Sequence, residues 1–337
     1  MSLIEKIQEL QTVNTLSKHE QLVTGIINAI DDKVLARGSQ LPSINVMVKE
    51  LGYARKTIVK AYEELKTRGI VESKQFKGYY IRTEETNLVM KVALLMYAFH
   101  SFQETFYNTF RDQLGENVQV DVFFHHNNPV IFETILSNVD KKYGMYVVAP
   151  IQDKASVALL KRFPADKLLI VDRYVNLGPG YSFIAQEFQQ NTEKSLQKLL
   201  PEIRKYQELV LFYRDDADYP LGVKNGFLAF AKQQGLQARI EKAYKLGSLQ
   251  KGTIYLCIDD TNLFKVVKDC RKGGLTMGKE VGIISHNESL LKEIVGEGIT
   301  TISSDFGEMA TLAAHFVNQR QPVQKIIDTH LIKRKSV

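Results

Sequence analysis

At 337 residues the chain exceeds one ordinary hydrophobic core and suits two or three. Its 44% hydrophobic and 24% charged residues, with only 8 prolines and no low-complexity run, exclude a disordered or fibrous polypeptide. The net charge of +6 leans toward a polyanionic partner, and no apolar run reaches membrane-spanning length, so a cytoplasmic protein with no membrane partner is expected.

Met1 to Leu16 alternates charged and apolar residues and lacks the apolar segment of a signal peptide. Leu22, Ile26, Ile27 and Ile30 then recur at helical spacing and predict a helix over 18–31. Gly38 closes the next turn. Ser43 is placed to cap a short helix that turns Val46, Val48 and Leu51 inward and stops at Gly52. In the following helix Ile58, Ala61, Tyr62 and Leu65 form one stripe, so Arg55, Lys56, Thr57 and Lys60 face solvent in its first two turns. Residues 70–73 and 78–81 alternate like two strands of a hairpin, with Gln75, Phe76 and Lys77 at its tip.

Helix, tight turn, helix and β-wing is an arrangement that places a helix N-terminus in a DNA major groove. Charge agrees with it: from Lys49 to Arg82 nine basic residues face four glutamates, so nearly all of the surplus lies here. Backbone N–H groups and the helix dipole favour phosphate at the second helix's N-terminus. Arg55 is expected to read guanine as a bidentate donor, with Lys56, Thr57 and Lys60 on phosphates and Lys77 and Gly78 as wing contacts. Thr57 has an equal alternative as a cap of its own helix. Asn45 is either a contact to backbone or adenine or a plain surface residue.

Residues 86–90 are expected to link this domain, 1–85, to a second spanning 91–337. There, apolar runs at 92–96, 118–124, 144–149 and 168–171, then at 209–213, 253–258 and 281–285, alternate with amphipathic stretches. Two such series predict two lobes, each a doubly wound parallel sheet covered on both faces. The fold class is thus α/β, with an α+β winged helix-turn-helix in front. Polar residues just beyond parallel strands line ligand crevices. Asp153, Asp172, Arg173, Asp259, Asp260 and Asn287 stand at such positions, and carboxylates, amides and a guanidinium together suit a ligand dense in hydroxyl groups. Ser101 and Tyr219 join this set, and Phe106 and Tyr107 are placed to stack on a sugar ring.

Catalysis is not expected. The chain has no Gly-x-Gly-x-x-Gly after the first strand of this domain, no Gly-x-x-x-x-Gly-Lys-Ser/Thr loop (Gly273 to Lys279 matches its first part, but Glu280 follows), no Gly-x-Ser-x-Gly elbow and no His-Glu-x-x-His. Cys257 and Cys270 fit no metal spacing and read as buried apolar residues of a reducing compartment. His125 and His126 are adjacent and point apart on a strand, so no metal or cofactor is called for.

Residues 18–82 resemble the GntR-family winged helix-turn-helix through Leu41-Pro42-Ser43, Arg55 with Thr57, the Ala61-Tyr62-x-x-Leu65 stripe, Arg68-Gly69-Ile70 and Lys77-Gly78-Tyr79. That family often has arginines where this chain has Asn45 and Val59. Residues 91–334 resemble the LacI-type effector domain and its periplasmic-binding-protein relatives. The landmarks are Val171-Asp172-Arg173, Asn225-Gly226-Phe227, Cys257-Ile258-Asp259-Asp260, Gly273-Gly274-Leu275, Val281-Gly282-Ile283-Ile284, Thr300-Thr301-Ile302 with Glu308-Met309, and the closing Thr329 to Arg334. The resemblance implies that Asp172, Arg173, Asp259, Asp260 and Asn287 contact a ligand. Asn287 stands where that family usually has aspartate, Ser304 where sugar binders often have glutamine, and Val223 where an arginine commonly clamps the ligand, with Lys224 or Tyr219 as substitutes. Together the two resemblances imply a homodimeric transcriptional regulator, a repressor of carbohydrate-utilisation genes whose grip on operator DNA is controlled by a monosaccharide. The alternative keeps DNA binding and makes the second domain a dimerisation body with a degenerate pocket.

Overall fold

The computed structural model describes residues 2–11, 16–86, 90–115, 117–140 and 142–337. It divides into two compact units, one of residues 1–92 with the short pieces 116–120 and 141–144, the other of the remaining chain. Of the expected linker, residues 87–89 lie outside the described residues. Thr86 donates its hydroxyl to Asp31, and Met90 already opens a strand.

The first unit holds α1 (Leu3–Leu10), α2 (Lys18–Asp31), α3 (Ile44–Leu51), α4 (Arg55–Thr67) and an antiparallel hairpin of β1 (Val71–Lys74) and β2 (Gly78–Ile81). Capping boxes start α1 at Ser2 with Glu5 and α2 at Ser17 with Glu20. Ile7 of α1 seats on Gly25 of α2, where a Cβ would stand 2.5 Å from the Ile7 side chain. Ile26, Ile58, Ala61, Tyr62 and Leu65 share the core with them, and the Tyr62 hydroxyl donates to the Pro42 carbonyl at 2.8 Å, pinning α4 to the segment ahead of α3. Gly52 ends α3 at φ 67°, the left-handed turn that glycine takes without a Cβ clash. One inward face differs from expectation: Val46 is 45% exposed, and Met47 with Leu51 fills the core. Counting from Ser43 as cap, the turn toward α4 faces positions four and eight, and Val46 falls between them.

β3 (Met90–Met96) leads into the two lobes. In chain order follow α5 (Ser101–Gln113), β4 (Val118–Phe124), α6 (Pro129–Val139), β5 (Met145–Val148), α7 (Lys154–Leu160), β6 (Leu168–Arg173) and β7 (Ser182–Gln186). The second lobe then supplies α8 (Gln189–Lys198), α9 (Leu200–Ile203), β8 (Glu208–Phe212), α10 (Leu221–Gln234), β9 (Gln237–Glu241), β10 (Thr253–Cys257), α11 (Asp260–Lys272), β11 (Val281–His286), α12 (Leu290–Ile294) and β12 (Thr300–Ser304). α13 (Phe306–Gln319), β13 (Gln324–Ile327) and β14 (Thr329–Ile332) close the described chain.

Two six-stranded sheets result, in the orders β13-β7-β6-β5-β3-β4 and β14-β12-β11-β10-β8-β9. β5, β6, β7 and β13 pair in parallel, as do β9, β8, β10, β11 and β12, while β14 is antiparallel to β12. Every residue of β5, β10 and β11 is buried, because helices cover both faces and no side of the pleat meets water. Glycine lets two of these helices touch: a Cβ on Gly226 of α10 would come within 2.4 Å of the Gln189 carbonyl oxygen of α8. Among the described residues the chain passes between the sheets three times, after β7, after β12, and at the single residue Asp328 between β13 and β14.

Candidate functional sites

A cavity of about 390 Å³ lies between the lobes, at the C-terminal ends of both sets of parallel strands. β6 brings Asp172 and Arg173 to it and β7 brings Gln186, while Tyr97, His100, Phe102 and Gln103 come from the turn into α5 and its first residues. From the second lobe come Arg214, Asp218 and Tyr219 after β8, Lys242 after β9, Asp259 to Asn262 after β10, and His286, Asn287 and Lys292 around the end of β11.

Arg173 is only 7% exposed. Its guanidinium carbon lies 4.0 Å from the Tyr97 ring centroid, and its Nη2 donates to the Asp218 carbonyl across the cavity. Gln186 donates its amide to Asp172, whose carboxyl is pushed up by burial against the opposing pull of Arg173. Asp259 caps α11 through the Asn262 N–H at 2.9 Å and also accepts the Tyr219 hydroxyl at 2.7 Å. Asp260 pairs with Lys292 at 2.9 Å, and the buried Lys292 ammonium also donates to the His286 and Asn287 carbonyls, both at 2.9 Å. Nothing in the local sequence Leu290-Leu291-Lys292-Glu293 sets this lysine apart, and sequence reasoning missed it. Asp172 and Asn287 both sit in the left-handed region, at φ 68° and 62°, one from each lobe.

On three residues that line this cavity one buried polar atom has no partner among the described residues: Nε of Arg173, Nδ1 of His286 and Oδ1 of Asn287. Buried polar groups are ordinarily satisfied, and each orphan costs about 1–3 kcal/mol. A molecule offering hydroxyl groups would answer a donor, an acceptor and an imidazole nitrogen at once.

The cavity thus gathers Asp172, Arg173, Tyr219, Asp259, Asp260 and Asn287. Three expected contacts are elsewhere. Asp153 caps α7, accepting the Ser156 N–H and hydroxyl at 2.8 Å each, which occupies its carboxylate locally. Phe106 is buried and stacked on Phe110, with centroids 5.8 Å apart, because α5 starts at Ser101 and one turn later its inward stripe faces the core. Tyr107 is half-buried on α5 and does not line the cavity; the α5 aromatic that does is Phe102, packed against Phe306. The Ser101 side chain lies outside what is described. Val223 is buried in the second lobe's core and Ser304 bonds to Thr329 at 3.0 Å. Of the two substitutes considered for the missing arginine, Lys224 pairs with Asp215 at 3.1 Å and Tyr219 lines the cavity.

Two histidines are kept neutral. His125 is buried with its Nε2 3.0 Å from the Ala149 carbonyl, so that nitrogen carries the proton and Nδ1 accepts the Asn127 N–H; burial lowers its pKa to about 4. Burial, reinforced by the Lys292 and Arg173 charges, holds His286 at about 4 as well. With folded values below the unfolded 6.5, protonation favours the unfolded chain. Stability is therefore full above pH 6.5 and falls as pH drops toward 4, by roughly 3 kcal/mol per histidine. Thermal melts at pH 7 and pH 5 check this, and His286→Asn should show the shallower fall.

In the first unit Ser43 caps α3, accepting the Val46 N–H at 3.3 Å. α4 begins at Ala54 with no side-chain cap, so Thr57 does not cap it. Arg55, Lys56, Lys60, Lys77 and Gly78 are exposed and Thr57 half-buried. Asn45 is exposed and its Oδ1 accepts Nη1 of Arg55 at 2.5 Å, which steadies the guanidinium at the α4 N-terminus. The Tyr79 hydroxyl donates to Glu63 at 2.8 Å and its ring meets Tyr62 edge-on at 5.0 Å, fixing the wing against α4.

Residues 18–81 match the family model for bacterial regulatory proteins of the gntR family. They are a GntR-type winged helix-turn-helix. A 79-residue stretch is 33% identical to the HTH-type transcriptional regulator Rv1152 of Mycobacterium tuberculosis; it makes up 23% of this chain and spans 65% of that relative's length. The LacI family transcriptional regulator of Lactobacillus casei with bound glucose superposes with TM-score 0.63 at 16% identity, over 74% of this chain and 100% of that one. The same regulator with bound sucrose gives TM-score 0.64 over the same shares, also at 16% identity. The LacI family regulator of Silicibacter pomeroyi gives 0.61 at 14% identity, over 73% of this chain and 98% of that one. Behind the GntR-type reader, then, stands the two-lobed fold of LacI-family effector domains. No helix among the described residues is long and apolar enough to cross a membrane.

Proposed function

We propose that this chain is a ligand-controlled transcriptional regulator, a cytoplasmic homodimer that binds operator DNA through Ser43, Asn45, Arg55, Lys56, Thr57, Lys60, Lys77 and Gly78 and takes a small sugar between its lobes. The observation that carries the ligand half is the trio of unpartnered buried atoms on residues that line one interlobe cavity, in a chain that also carries a GntR-type segment. The Lactobacillus casei relative with bound glucose or sucrose supports the same ligand class. A dimerisation body without a ligand would leave Arg173, His286 and Asn287 unsatisfied for no return. Leu290, Leu291 and Ile294 of α12 are exposed and form the apolar face that a second copy would cover.

Ligand favours the closed form of the lobes, which differs in the spacing it imposes on two reading heads. Half-sites about 34 Å apart demand that this spacing be held. A ligand shifts the balance only by preferring one form. Relief of repression is the expected sign, and no catalytic step is assigned.

Thermal shift against pentoses, hexoses and their phosphates tests the reading, since binding to the native state alone raises the Tm. A sugar that raises the Tm and releases the chain from its own upstream DNA in a gel shift supports it. A flat response across the panel removes the sugar and leaves the dimerisation body.

A further inference from the structure

The wing tip carries a side chain that folding does not use. Phe76 is 99% exposed and sits at φ 61°, a backbone conformation that bulky side chains rarely adopt. A glycine would be relaxed there. The loop around it is nonetheless braced: the Lys77 N–H bonds the Lys74 carbonyl at 3.0 Å, Gln40 donates its side-chain amide to the Lys77 carbonyl at 2.7 Å, and the Tyr80 hydroxyl reaches the same carbonyl at 3.3 Å. Gln40 lies in the segment that runs directly into Ser43 and α3, so the tip is continuous with the face that carries Asn45 and Arg55. Lys74 and Lys77 flank Phe76 in sequence; the Lys74 ammonium lies 4.6 Å from the Tyr80 ring centroid and pairs with Glu72 at 3.1 Å.

A protein-docking patch needs contiguous apolar area. Among the described residues of the unit the other large exposed apolar side chains, Val34 and Val46, lie on other segments. A lone exposed aromatic ring on a basic hairpin tip, with Lys74 and Lys77 close in sequence, fits a polyanion that contains stacked bases.

We propose that Phe76 is an apolar wedge that enters the minor groove of duplex DNA and partly unstacks one base step, while Lys74 and Lys77 hold the flanking phosphates. The inference rests on the DNA-binding reading of residues 18–81. It adds deformability of the duplex to what the protein selects for, at positions where no hydrogen bond reads a base.

The test uses the full chain and a duplex enriched with it from a random library, with affinity measured by anisotropy across salt and bending by mobility of permuted fragments. Phe76→Gly removes the ring and relieves the backbone. It should keep or raise the Tm, weaken binding about tenfold, lower the bend, and leave the salt dependence unchanged, because an apolar contact releases no counterions. Phe76→Trp should retain affinity and bend. Lys77→Ala should instead flatten the plot of log affinity against log salt by about one unit. Wild-type affinity and bend in Phe76→Gly overturn the wedge, as does an affinity loss with the bend intact. A wild-type chain that enriches no duplex overturns the DNA-binding reading along with it.

Discussion

Replacing Arg173 with methionine should lower the affinity for the effector sugar about 100-fold, the effect of removing a charged hydrogen-bond donor from a buried site. Methionine keeps much of the volume over Tyr97 and removes the guanidinium that reaches the Asp218 carbonyl and whose buried Nε has no partner. Asp172 would also lose the cation that opposes its burial, which pushes its carboxyl further up. Arg173→Lys should not rescue, because an ammonium cannot lie flat on Tyr97 while donating from several fixed directions. Calorimetry with the sugar that gives the largest thermal shift is the measurement. Duplex affinity without ligand should not change, so the variant holds its operator in the presence of sugar. Ligand binding that survives in Arg173→Met would remove this residue, and the cavity reading with it.

Arg55→Ala should weaken binding to the enriched duplex by roughly 5- to 150-fold and relax the preference at one base position, the range of about 1–3 kcal/mol for a bidentate base contact. Affinity for random duplex should fall far less. Folding should be indifferent, since Arg55 is exposed and its bond to Asn45 is made at the surface. Arg55→Lys separates charge from geometry: it should keep the salt dependence and lose the base preference. Competition anisotropy of the three proteins against specific and random duplex decides the matter; equal discrimination by wild type and Arg55→Ala would move base reading to another residue.

What could be read from the residues followed how strongly burial marks them. Strands covered on both faces, such as β5, β10 and β11, stand out as unbroken apolar runs, and α4 declares itself through Ile58, Ala61, Tyr62 and Leu65. The edge strand β9, Gln-Ala-Arg-Ile-Glu, is half-exposed and mixed in composition, and it was missed with β7 and β13. α1 escaped although Ser2 and Glu5 spell its capping box, because eight residues carry too little periodicity to be noticed. In the cavity, residues fixed by strand ends were legible: Asp172, Arg173, Asp259, Asp260 and Asn287. Residues whose placement depends on where a helix starts were not. A shift of one turn in α5 exchanged Phe106 for Phe102, and a terminal aspartate such as Asp153 looks the same whether it caps a helix or faces a ligand. Lys292 depends on two carbonyls at the end of β11, which no local pattern announces.

The late position of β13 and β14 has a consequence for biosynthesis. Each of the two sheets receives an edge strand from the last stretch of chain, β13 beside β7 and β14 beside β12, with only Asp328 between them. During translation both lobes therefore emerge with an open flank, the first sheet waiting for residue 327 and the second for residue 332. Until then two rows of unpaired backbone groups are available to neighbouring nascent chains. Holdase chaperones would find their work on this protein at those flanks, in the interval between synthesis of β12 and that of β14.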